Sequence, residues 1–362
     1  MRPAHTRCVI TALLATVLGA LSLTAAAQTA SADDILGATS TDGDMTGDGH
    51  ADLVVVGAQA GLPSGLWLAQ GLAGDQIDTA ATDIGAQGTG VGSVGSPADW
   101  NGTQAVTGHF HTGSGFNDVL DYDPATGVGT ILYGNGTSAA LPTTSGNEVN
   151  VPSPVFQESL SGQTATSVAN GGSLYNTVNG NPVTGFPDLL LVLGGNLLDE
   201  AAMPTPGAFT GADAALPLSG TNPAGTGDWT GWTLTSTLTG GLPALFARDT
   251  TGGSLYYYSP ADLENLAMGG AANPLQLAPN GWSATTAPVV QAADINGDGA
   301  PDLWSVNADG TVTAYLLDGT TLTAQNQQQL TPAAQTSPCT GVGTGGHHNG
   351  HRIPHHKPPA QS

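Results

Sequence analysis

The sequence predicts an all-β protein of about five repeats that close into a β-propeller, and three observations predict it. Nowhere do apolar residues keep helical spacing for three turns, so helix is a minor component. Short β-rich runs alternate with Gly- and Asp-rich turns and end in aromatic residues, the pattern of successive hairpins. The same unit then recurs about every 60 residues, which marks an internal repeat.

The clearest hairpins pair Asp52–Val56 with Gly65–Trp67, and Asp118–Tyr122 with Thr130–Tyr133. Two more pair Ala244–Arg248 with Leu255–Tyr258, and Asp302–Val306 with Thr311–Tyr315. A fainter copy opens at Asp188 without an obvious second strand. The anchors Asp52, Asp118, Asp188, Ala244 and Asp302 are separated by 66, 70, 56 and 58 residues. Trp100 and Trp282 precede two of them inside stretches that have room for one more strand each. A unit with three or four short strands has the size of a propeller blade, and radial closure hides the sheet edges that an open array exposes. Five such units account for residues 33–335. Two stacked β-sandwiches also space their strands at about 8–12 residues, but they need not repeat as a unit. The stretch Leu197–Gly220 has room for a further unit, so a larger ring, up to seven blades, also fits.

The chain ends differ from this domain. Residues 1–32 carry Arg2 and Arg7, an apolar run from Val9 to Leu23 and small residues up to Ala32, the pattern of a secretory signal peptide. The apolar run is shorter than the ~20 residues a membrane-spanning helix needs. The expectation is an exported protein with no membrane insertion. Residues 336–362 turn to Gly, Pro and His and read as a disordered tail, whose five histidines could hold a transition metal weakly. Cys8 lies in the signal segment, so Cys339 is the one thiol of the processed chain. It excludes a disulfide framework and leaves a monomer, or a dimer linked through Cys339, as the expected states.

Charge narrows the partners. Of five Lys and Arg residues, Arg248 alone lies between residues 33 and 335, against 28 Asp and Glu in the whole chain. Nucleic acid is not an expected partner, because phosphate recognition needs a basic footprint, and anionic lipid is disfavoured likewise. Acidic excess points to cations.

The sharpest local signal is a loop that occurs twice. Asp44, Thr46, Asp48 and Asp52 are matched in type and spacing by Asp294, Asn296, Asp298 and Asp302. Three carboxylates and one polar oxygen on a nine-residue loop suit a hard divalent cation, which takes 6–8 oxygen ligands, and calcium is the natural choice. The backbone carbonyls of His50 and Ala300 would add a ligand each. Asp and Gly also make ordinary turns, but one turn does not explain the same spacing at the same place in two repeats. An EF-hand fails because its twelfth loop position is Val55 or Ser305 and a β-run follows.

Asp44–Val56 and Asp294–Trp304 resemble the FG-GAP or VCBS repeats of integrin-α-type propellers, and the units Trp100–Tyr133 and Trp282–Tyr315 resemble whole repeats of secreted bacterial kind. The resemblance implies a loop between two strands of a blade, holding calcium through the positions just named. It weakens before Asp118, where His109–Asn117 lacks the leading acids, and before Asp188. It weakens also where Asp228–Gly231 is separated from Ala244 by an apparent insertion. Little or no calcium is expected in those three blades.

No nucleophile elbow, His-Glu-x-x-His motif or phosphate loop occurs. His109 and His111 share a strand face and could chelate zinc or copper, without an evident third ligand. Glu148, Glu158, Glu200 and Glu264 are the acids available to a glycosidase pair, and nothing in the spacing selects two of them. Aromatic residues such as Tyr256, Tyr257 and Tyr258 read mainly as packing between blades, with one or two available to stack on sugars. The leading expectation is a ligand-binding or adhesion module for an extracellular polysaccharide or protein. A polysaccharide-degrading enzyme and a wall or matrix component are the alternatives.

Overall fold

The computed structural model describes residues 41–85, 96–112, 115–141, 147–181, 185–218 and 220–334. The signal segment 1–32, the loop residue Ser114, Cys339 and the tail 336–362 lie outside the described residues.

Five four-stranded sheets form the five blades. Blade 1 contains β1 (Leu53–Val56), β2 (Leu66–Ala69) and β3 (Ala80–Asp83). Blade 2 contains β4 (Gln104–Gly108), β5 (Asp118–Asp123), β6 (Val128–Leu132) and β7 (Glu148–Val151). Blade 3 contains β8 (Ser167–Gly172), β9 (Asp188–Leu193), β10 (Asn196–Glu200) and β11 (Leu216–Pro217). Blade 4 contains β12 (Trp232–Thr239), β13 (Leu242–Asp249), β14 (Leu255–Tyr258) and β15 (Leu275–Ala278). Blade 5 contains β16 (Val289–Ala293), β17 (Asp302–Val306), β18 (Thr311–Asp318) and β19 (Thr321–Gln329). The chain then returns to blade 1 as β20 (Thr331–Pro332).

The four predicted hairpins form in antiparallel register, with Val54 opposite Leu68, Leu120 opposite Ile131, Phe246 opposite Tyr257 and Trp304 opposite Ala314. The faint repeat at Asp188 is complete, because Asn196–Glu200 supplies its missing strand. Leu197–Gly220 therefore belongs to blade 3 and hides no further unit. The ring closes at five blades, and the seven-bladed alternative falls. In blades 2, 3 and 5 the anchor opens the second strand, in blade 4 Ala244 is the third residue of it, and in each the strand before it lies nearest the axis.

Alternate strand residues point to opposite blade faces and build the contacts between neighbours. Leu120 and Tyr122 pack with Val168, Leu189 and Leu191 of blade 3, whereas Val119 packs with Val54 and Leu66 of blade 1. The tryptophans serve this packing. Trp100 and Trp229 are fully buried, and Trp282 meets Tyr315 edge-on with centroids 4.8 Å apart.

Axial strands have no backbone partner on their inner side, so their edges need other bonds. Side chains of the preceding blade supply them. Gln104 accepts from Val168 N–H at 3.0 Å, Ser167 from Leu234 N–H at 2.9 Å, Thr235 from Ala292 N–H at 2.8 Å and Gln291 from Val54 N–H at 2.9 Å. At the seam β20 adds to β3 in parallel, where Thr331 N–H donates to Thr79 and Ala333 N–H to Ala81 at 2.8 and 2.7 Å.

Candidate metal loops and the aspartate bridge

The two acid loops precede β1, the first described strand of blade 1, and β17, the second strand of blade 5, in the two blades that meet at the seam. Both fold alike. The leading acid turns inward and gathers backbone amides: Asp44 accepts from Thr46, Gly47 and Gly49 at 3.1, 2.6 and 2.8 Å. Asp294 accepts from Gly297, Asp298 and Gly299 at 2.9, 3.1 and 3.0 Å. Gly47, Gly49, Gly297 and Gly299 have φ of 76°, 89°, 75° and 83°, a left-handed backbone that glycine adopts without strain. The middle acids stand exposed. Asp48 accepts from His50 N–H at 3.0 Å, and Asp298 from Ala300 N–H at 2.8 Å.

The last acid of each loop has a second task. One oxygen of Asp52 accepts from Met45 N–H at 2.8 Å and the other from Gly71 N–H at 2.8 Å, just beyond β2. Asp302 repeats this with Ile295 at 3.2 Å and Leu317 at 2.8 Å. Asp118 does the same with His111 and Gly134, and Asp188 with Tyr175 and Ala202, at 2.8 to 3.0 Å. In four blades this aspartate therefore bridges the loop before its own strand to the end of the following strand. From loop spacing alone Asp52 and Asp302 read as cation ligands only. The presence of an aspartate at Asp118 and Asp188, where the other acids are missing, was the signal of this separate role.

Burial raises Asp52 to about 7 and Asp302 to about 6. Backbone amides oppose the shift, while the charge of Asp44 in one loop, and of Asp298 and Asp294 in the other, adds to it. Among the described residues, no three Asp, Glu, His or Cys side chains stand together as a preformed metal cage. The donor set fits a hard cation in kind, since every candidate ligand is oxygen, and Asp44 Oδ2, Asp294 Oδ2 and both oxygens of Asp302 accept from one amide each and keep a second lone pair; Asp44 Oδ1, Asp52 Oδ2 and Asp294 Oδ1 already accept from two amides and would have to release one. Asp44, Thr46, Asp48, Asp52 and the His50 carbonyl would hold it in blade 1. Asp294, Asn296, Asp298, Asp302 and the Ala300 carbonyl would do so in blade 5.

The other loops differ in kind. In blade 2, His111 Nδ1 lies 2.7 Å from Asp118 and its ring stacks on Tyr133 at 4.2 Å, while His109 Nε2 lies 3.2 Å from Asn117 Nδ2. Both histidines thus have protein partners. In blade 3 a short helix, Leu174–Asn179, replaces the acid loop. In blade 4 the corresponding turn is Gly240–Gly241, and the apparent insertion after Gly231 is β12 itself, so Asp228–Gly231 belongs to the opposite end of the ring. The four glutamates are dispersed. Glu148 and Glu200 are buried in β7 and β10, Glu158 accepts from Ser161 at 2.7 Å, and Glu264 sits on the helix Pro260–Ala267.

Fold and loops together define a five-bladed all-β propeller with paired acid loops beside its seam. No family model matches the chain, and no curated protein matches it. Among solved structures it is similar to an Agrocybe aegerita lectin described for specific recognition of non-reducing terminal N-acetylglucosamine. The two share 12% identity over 82% of this chain and 68% of that one, with a TM-score of 0.36.

Proposed function

We propose that the chain is an exported, calcium-stabilised propeller of the FG-GAP/VCBS kind that presents its loops to an extracellular polysaccharide or protein. The carrying observation is the duplication of one acid loop in the two blades that flank the seam: in each the leading acid gathers amides of its own turn and the last acid is fully buried, although Asp44 is buried and Asp294 half-buried. A strand of only two residues, β20, seals that seam. A cation in each loop would fix the blades on either side of it and relieve the repulsion among three acids. The test of the ligand half is a glycan array and a pull-down, each with and without calcium at about a millimolar, a level suited to extracellular modules. Calcium-dependent retention of a defined glycan or protein supports the reading, and its absence from both assays overturns it.

A further inference from the structure

The inner strands enclose an axial cavity of about 240 Å³. Valines of β1, with Thr103, Gln104, Ser167, Thr235 and Gln291, line it together with Arg248, and no Asp, Glu, Lys or His does so among the described residues. At one end, Asp42 crosses from blade 1 to blade 4 and accepts from Thr237 Oγ1 and Leu238 N–H at 3.0 and 2.8 Å. Gly102, Pro288 and Gln59 mark the other end, away from the acid loops.

Arg248 is the one cation of residues 33–335. It is buried at 8% exposure, and no carboxylate lies at ion-pair distance among the described residues. Its Nε–H donates to Thr233 Oγ1 at 3.0 Å and Nη1 to the Ala287 carbonyl, which leaves three of the five guanidinium N–H groups without an acceptor among the described residues. Burial alone lowers its pKa to about 10, so it stays charged at neutral pH. A buried cation without a counter-charge is costly. The hydroxyls beside it have the same bias. Thr233, Ser167 and Thr235 each accept one bond, from Arg248, Leu234 and Ala292, and none of the three donates to a protein acceptor among the described residues. Among the described residues the cavity therefore has a surplus of donors, one positive charge and no acid.

We propose that this cavity binds a small hydroxylated monocarboxylate, with Arg248 as the anchor for the carboxylate and the Thr and Ser hydroxyls as donors to the rest. One guanidinium balances one negative charge and meets a carboxylate through two parallel N–H bonds. With no second cation present, a dianionic phosphate would be left partly unbalanced. One water needs only ~10–15 Å³ of such space, so a cavity of about 240 Å³ has room for a small ligand the size of a single sugar acid. A free sugar acid and the terminal uronate of a glycan share this chemistry. The site does not depend on the calcium reading, because its residues belong to the inner wall and not to the acid loops.

The experiment is calorimetric titration of the full processed chain with sodium glucuronate, neutral glucuronamide and a methyl-capped diglucuronate, in calcium and again in EGTA. Glucuronate is expected to bind one site, with glucuronamide at least about tenfold weaker because it lacks the charge-assisted pair. Tight binding of the capped disaccharide assigns the site to glycan ends, and its failure to bind assigns it to the free acid. Arg248→Gln should abolish binding while Arg248→Lys retains part of it. Equal affinity for glucuronate and glucuronamide, or no binding of either, overturns the proposal on the native chain, whatever the variants do to folding. A calcium-independent result separates this proposal from the preceding one, since it would stand even if the acid loops proved to be plain turns.

Discussion

The side chain of Gln291 holds the backbone beside Val54 as a neighbouring strand would: its Oε1 accepts from Val54 N–H at 2.9 Å, and its Nε2 donates to the Asp52 carbonyl at 2.8 Å. Gln104 does the same between blades 2 and 3, accepting from Val168 and donating to the Thr166 carbonyl at 2.9 Å. A primary amide carries the same donor and acceptor as a peptide group, so it can satisfy a strand edge that faces the axis. Gln291→Leu keeps the bulk and strands both backbone groups. It should cost about 1–3 kcal/mol, and Gln291→Glu, which keeps the acceptor, less; urea unfolding with unchanged m-values would measure both.

Asp118 tests the aspartate bridge without any cation, because its loop lacks the leading acids. Asp118→Ala leaves the N–H groups of His111 and Gly134 without their acceptor, and a loss of about 2–4 kcal/mol is expected. The loss should be the same in EGTA and in calcium. Blade 4 has Ala244 at this place and a two-glycine turn before it, which is too short to need tethering. A near-neutral Asp118→Ala would show that the bridge contributes little.

Much of this arrangement could be read before any coordinates. Hairpins opened by Asp52, Asp118 and Asp302 announced themselves through β-branched runs and turn residues, and their spacing gave the blade. The axial strands were harder. Ser167–Gly172 is composed of Ser, Val, Ala, Asn and Gly, which reads as a loop, yet crowding near the axis favours small side chains there. Arg248 was visible only as a rarity; that no carboxylate pairs with it among the described residues depends on which strands surround it. The acid loops were legible as oxygen clusters, while their amide bonds depend on backbone geometry that spacing does not encode.

Calcium should raise the unfolding midpoint in a saturable way, with magnesium weaker. Because the ion binds the folded loop, each site adds RT ln(1 + [Ca]/Kd), roughly 1.4 kcal/mol at ten times Kd. Asp48→Ala and Asp298→Ala should each remove most of their own site's gain with little loss in EGTA, since these exposed acids mainly cap their own turns. Ser114→Ala, in the loop without leading acids, should not alter the calcium response. A flat titration across both loops would reduce them to turns.

Acidification should stabilise the protein over a defined range in EGTA. Burial raises Asp121 and Glu200 each to about 7, well above the ordinary carboxylate range, and among the described residues no basic group offsets the cost of their charge. Where the folded pKa lies above the unfolded one, the folded state binds more protons between the two values. Stability from these groups is therefore fully present below about 4 and is lost as pH rises through about 7. The unfolding midpoint should climb as pH falls from 8 to 5, and Asp121→Asn, neutral at every pH, should flatten that climb. An Asp121→Asn profile parallel to that of the native chain would mean that Asp121 is already solvated and ordinary in its titration.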